Sequence, residues 1–196
     1  MKKIFIILLS AVFFSCNQKK KEQTTKQENK KPTDTTYIIS GNGLGPIKIG
    51  MTQEELEKLL NQKLALKHTN DADAWSDTAI AKYKDIEVSL FFQQQYNEDQ
   101  NAPKVWELFE LSSESTLCKT MTGIGIGDDK IAVISRYDDN YINMGPQFEQ
   151  VNDSTWLPSK TKYMIHVLNT DDNKEIFFKL INKKIVSIGV SFAMGD

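Results

Sequence analysis

GPIKIGMTQEELEKLL, residues 45–60, has a weaker copy in TGIGIGDDKIAVISRY, residues 122–137. Ile47-Lys48-Ile49-Gly50 lies over Ile124-Gly125-Ile126-Gly127 at a constant offset. Each copy reads as a short alternating strand that ends in Gly and runs into a helix start. The first helix start is the clearer. Thr52 is an N-cap residue with Glu55 three positions later, a capping box, and Met51 and Leu56 occupy the two positions of a hydrophobic staple. Leu56, Leu59 and Leu60 then share one helical face. In the copy, Asp129 takes the cap and Val133, Ile134 and Tyr137 the apolar face. Asn61 and Asp138–Asp139 end the two helices.

Outward from these starts the halves continue to correspond. Trp75 precedes three strand-like runs, 79–83, 86–92 and 105–111; Trp156 precedes another three, 163–168, 175–181 and 185–192. The runs are β-branched and aromatic with polar turns between them, and the shortness of 84–85 and 182–184 predicts antiparallel meanders. The expected fold class is α+β: two similar units, each a short strand and capped helix followed by a three-strand meander, with the sheets joined edge to edge. The repeats are expected at 37–115 and 116–196. One sheet face would pack on the helices, and the other would be free to bind.

The chain begins MKKIFIILLSAVFFSC. Two lysines precede an apolar run from Ile4 to Phe14, too short to span a bilayer but suited to an export signal over residues 1–15. Ser15-Cys16 after Phe13-Phe14 resembles a relaxed lipobox. That resemblance implies diacylglycerol on the Cys16 thiol, signal cleavage and acylation of the new amino terminus. Two or more chains hold a membrane where one does so only marginally. Residues 17–36 contain no aliphatic or aromatic side chain, so residues 16–36 read as a lipidated Cys and a polar tether. Lys19–Lys21 suit either anionic headgroups or a plain solvated spacer. The expected location is the cell envelope, lipid-anchored, on the periplasmic face of an outer membrane.

Charge and cysteine content narrow the classes. The first 36 residues hold eight lysines and three acids out of 24 basic and 26 acidic in all, which leaves 16 against 23 in the body, with Arg136 the single arginine. Such a body argues against nucleic-acid binding, which needs basic patches to displace phosphate counterions. With Cys16 assigned to lipid, Cys118 has no partner for an intrachain disulfide and reads as a buried, inert thiol rather than a reactive one.

Ile49-Gly50-Met51-Thr52 with Glu55 and Leu56, and more weakly Ile126-Gly127-Asp128-Asp129 with Val133, resemble the tandem β-lactamase-inhibitor-protein family. They are also similar to the small lipoprotein subunit of the outer-membrane barrel-assembly machine. The resemblance covers most of residues 40–196. It implies a sheet or loops presented to a protein partner and no enzymatic activity. Two departures stand: the inhibitor carries disulfides, and the assembly lipoprotein has one unit.

No motif carries chemistry. The glycines at 41, 43, 45, 123, 125 and 127 lack the Gly-Lys-Ser/Thr of a phosphate loop and the spacing of a dinucleotide fingerprint. Asp71, Asp73 and Asp77 alternate as calcium ligands do, but the loop has no central glycine, and Lys82 stands where a bidentate glutamate belongs. His68 and His166 have no second ligand at zinc spacing. His166 is out of phase with Ile165 and Val167, which suits the free sheet face. No metal or cofactor is expected, and no catalytic set.

Trp75, Trp106, Trp156 and His166 stand as candidate binding residues, since an exposed aromatic on a free face is a natural anchor. In Val105–Phe109 both faces of the strand carry large apolar groups. The leading expectation is a membrane-anchored, non-catalytic module that binds an envelope protein. The alternative is a lipid or glycan binder, and an enzyme with an unfamiliar site comes last.

Overall fold

The computed structural model describes residues 35–68, 75–99, 101–169 and 173–193. The export signal, Cys16 and nearly all of the tether lie outside them. So do Asp71 and Asp73 of the acidic loop. Among the described residues no helix is long and apolar enough to cross a membrane. The body, Asp34–Asp196, is one compact unit.

The elements run β1 (Ile38–Ser40), β2 (Gly43–Leu44), β3 (Ile47–Lys48), α1 (Gln53–Leu60), β4 (Lys67–His68), β5 (Ser76–Tyr83), β6 (Ile86–Gln94) and β7 (Trp106–Ser113), then β8 (Lys119–Thr120), α2 (Lys130–Arg136), β9 (Tyr141–Asn152), β10 (Thr155–Asn169), β11 (Lys174–Ile181) and β12 (Lys184–Phe192). The two helix starts form as their residues dictate. The Thr52 hydroxyl accepts from the Glu55 N–H at 3.3 Å, and the Glu55 carboxylate accepts from the Thr52 N–H at 2.9 Å. Asp129 accepts from the N–H groups of Ile131 and Ala132, both at 3.0 Å.

The α+β expectation is wrong. About 55 % of the described residues are strand and 10 % helix. The helices are only eight and seven residues long. Eight strands form one antiparallel sheet in the order β4-β5-β6-β7-β12-β11-β10-β9, and four very short strands form a second, β3-β2-β1-β8. The physical reason lies in length and in strands missing from the sequence reading, β9 the longest of them. An eight-residue helix is about 12 Å long and covers little of a sheet whose strands reach 15 residues. Residues 141–152, interrupted by Gly145 and Pro146, become β9 by pairing with β10, and Trp156 lies inside a strand rather than in a loop before one.

The copies are nonetheless visible as chemistry. The Gly50 N–H donates to the Leu108 carbonyl, and the Leu108 N–H to the Met51 carbonyl. The Gly127 N–H donates to the Ile185 carbonyl, and the Ile185 N–H to the Asp128 carbonyl. Gly50 and Gly127 sit at φ of 90° and 91°, where a side chain is strained and glycine is not. Each helix start is thereby stitched to the last strand of its meander. Those strands, β7 and β12, pair antiparallel at the centre of the single sheet, Ile188 opposite Ser113 and Val190 opposite Leu111.

The core lies between one face of this sheet and a cover of α1, α2 and the small sheet. Val88, Leu90, Phe92, Leu108, Ile165, Phe178, Leu180, Ile188 and Val190 face inward, and Leu56, Val133, Tyr137, Ile39, Leu44 and Ile47 meet them. Tyr137 packs its ring on Phe178 at 6.1 Å. Cys118 is fully buried, and burial pushes its thiol up from its ordinary value. Among the described residues no layer covers the opposite sheet face.

Candidate functional site

Register decides what the uncovered face displays, because partners across an antiparallel pair share a face. Three rows result. One runs Lys67, Thr78, Phe91, Glu110, Ser191, Glu175, Leu168. The next runs Ile80, Ser89, Ser112, Gly189, Phe177, His166. The third places Ser187 beside Lys179 and Met164. The centre is therefore built from small residues, Ser89, Ser112, Ser187 and Gly189, with larger groups around them.

Phe177 explains how a phenyl ring disappears from solvent on an uncovered face. It is 1 % exposed and lies across Gly189, where an added Cβ would meet Phe177 Cζ at 2.2 Å. An aromatic side chain shielding a cross-strand glycine compensates for the packing that glycine lacks. His166 flanks this ring at 6.3 Å between centroids, and the Lys179 ammonium lies 5.4 Å from its centroid.

The polar groups then interlock. His166 Nδ1 lies 2.8 Å from Glu175 Oε1, and the Ser191 hydroxyl donates to the same oxygen at 3.2 Å. Glu110 Oε1 is 4.0 Å from Lys179 Nζ. Burial raises the Glu110 carboxyl above its usual range, and the Glu175 charge adds to this, while Lys179 and His166 oppose it. Beside the cluster is a trough of about 550 Å³ whose walls include Lys67, Ile80, Phe91, Glu110 and Lys179 and whose floor includes Ser89, Ser112 and Ser187.

Ser191 and His166 both engage Glu175 rather than each other, so the imidazole does not activate the hydroxyl. A nucleophile must hydrogen-bond its base. Among the described residues no three His, Cys, Asp or Glu side chains are grouped to hold a metal ion. Asp77 is buried beside His68, its ring partner across β4 and β5.

His166 belongs to this site; the three tryptophans do not. Trp106 is partly buried against the core. Trp75, 54 % exposed, accepts from the Gln94 N–H at the opposite end of the sheet from the β9–β10 hairpin tip. Trp156 stands on that hairpin. Glu110, Glu175, Lys179 and Ser191 escaped the sequence reading. Their signal was phase: Glu175 and Lys179 alternate with Ile176, Phe178 and Leu180, just as His166 does with its neighbours.

Comparison with protein-family models, with curated proteins and with solved structures finds no match.

Proposed function

We propose that this protein is a lipid-anchored lipoprotein of the cell envelope that acts as a non-catalytic binding module, docking an envelope protein on the uncovered face of its large sheet. One observation carries this reading. Ionisable side chains, His166, Glu175, Glu110 and Lys179, interlock around a serine-floored trough on a face that no other layer of the described residues covers. Pre-ordered polar groups set in a recess give orientation and specificity to a partner at little entropic cost. The family resemblance of residues 49–56 agrees in kind, since such relatives present a sheet or loops to proteins. The lipid on Cys16 supplies the address.

The test is capture of the lipidated protein from mildly crosslinked native membranes, with Cys16→Ala as the mislocalised control and Ser89→Trp to fill the trough from an exposed position. A stoichiometric partner lost in both variants supports the reading. A partner retained by Ser89→Trp removes the sheet face from it.

The trough volume favours a second reading, a small polar or lipid-derived ligand, because pockets of several hundred Å³ take such molecules. A small molecule that copurifies with the protein and is lost in Ser89→Trp would favour it.

A further inference from the structure

The β9–β10 hairpin runs past the sheet. Pairing of β10 with β11 begins at Lys162, so residues 155–158 pair only with β9. A break in register between Pro158 and Tyr163 sets this part apart, and the Ser159 hydroxyl holds it by accepting from the Thr161 and Lys162 N–H groups at 3.2 and 3.1 Å. Among polar groups that include a Glu149–Lys162 ion pair, the projecting ribbon carries four exposed large apolar side chains. Phe148 is 62 % exposed, Trp156 58 %, Val151 56 % and Leu157 52 %. Strand register puts Phe148 and Trp156 on one face and Leu157 on the other, with Val151 the unpaired residue of a bulge beside them. A protein partner that packs on one face leaves the other wet. A bilayer interface solvates both.

We propose that this hairpin is a second membrane contact, lying in the headgroup region of an anionic bilayer. The inference rests on the reading that the body is tethered to that membrane. Three observations select lipid. The chain enters the body at Tyr37, which hydrogen-bonds Asp85 and packs on Tyr83. By strand register this is the end of the sheet from which the hairpin projects. The two points are five strands apart, roughly 24 Å, and the 18 residues between Cys16 and Thr35 reach up to about 60 Å, so anchor and hairpin can share one surface. Beside the hairpin, exposed Lys130, Lys160 and Lys183 surround a pocket of about 380 Å³ with Met144 and Tyr163. Among the described residues no ion pair engages these lysines. Lysines at this position match anionic headgroups, and Trp and Phe match the interface. The outer backbone edges of the ribbon are unpaired, so it stays in the interface and does not enter hydrocarbon, where unpaired backbone is costly.

The test uses the lipidated full chain in vesicles of phosphatidylethanolamine and phosphatidylglycerol. An environment-sensitive fluorophore is placed on Leu157→Cys or, at the opposite end of the sheet, on Tyr96→Cys. The expected result is a blue-shifted emission at 157 that nitroxide lipids quench, a water-like emission at 96, and loss of the shift when Phe148→Ser and Trp156→Ser are added. A water-like emission at 157 on a lipidated chain overturns the proposal. So does a blue shift without vesicles together with a dimeric mass, which would assign the patch to a second copy. The mass of the N-terminal peptide reports separately on the anchor. If acyl chains are absent, the same label is read in excess vesicles: a shift that the double variant weakens at least roughly tenfold upholds the proposal, and no shift overturns it.

Discussion

Gly189 and Phe177 hold the centre of the uncovered face together. A Cβ at 189 would lie 2.2 Å from Phe177 Cζ and 2.5 Å from the Leu111 carbonyl oxygen, and the backbone atom cannot step aside. Gly189→Ala is therefore expected to expel the Phe177 ring, at a cost of about 1–3 kcal/mol for overpacking. Thermal denaturation and the disappearance of the His166–Phe177 ring-current shift would register it; an unchanged melting temperature would contradict the stacking. Glu110 offers a pH test at the same scale. Its carboxyl is raised above 4.5 chiefly by burial, so the unfolded chain gives up this proton before the folded one does. The group thus costs stability as pH climbs through 4.5 and up to its raised value. Glu110→Gln removes that dependence. The variant is expected to gain on the parent at pH 7 and lose its advantage at pH 3, a crossing visible in paired melts.

Among the elements, the two helix starts share a scheme but differ in support. Thr52→Ala breaks a reciprocal box and is expected to cost about 1 kcal/mol. Gly127→Ala meets no atom within 4 Å, so its cost is backbone strain alone, roughly 1–2 kcal/mol. Gly50→Ala adds a Cβ 3.3 Å from Glu107 Oε1 to the same strain and should cost more than its counterpart. Denaturant midpoints of the three variants order these effects, and a Gly127→Ala protein as stable as the parent would refute the positive φ. Much of this level was legible in the chain. Capping boxes and turns are set by contacts within four residues, and the six β-branched and aromatic runs, all but Val105 at the start of one, lie in strands of the large sheet. The outward phase of His166 was legible for the same reason. β9 was not: its Gly, Pro, Asn and Gln have little strand preference of their own, and its backbone is ordered by the ladder it shares with β10.

Over the whole molecule, β7 and β12 share a ladder at the centre of one sheet, and the inner residues of both halves enter one core. Unfolding is therefore expected to be a single cooperative transition, coincident by far-ultraviolet circular dichroism and tryptophan fluorescence. A chain ended after Glu114 exposes the β7 edge and is expected to aggregate instead of folding alone. Two separated transitions, or a folded half, would show that the copies are independent. By itself the sequence determined the helix caps, the glycine-ended turns and the strand runs, all properties of residues near one another along the backbone. The tertiary structure alone decided that the two copies merge into one mostly β sheet, and that His166, Glu175, Ser191, Glu110 and Lys179 meet. Those residues come from four strands, β7, β10, β11 and β12, and only the register of long-range hydrogen bonds, which no local preference encodes, brings them onto one face.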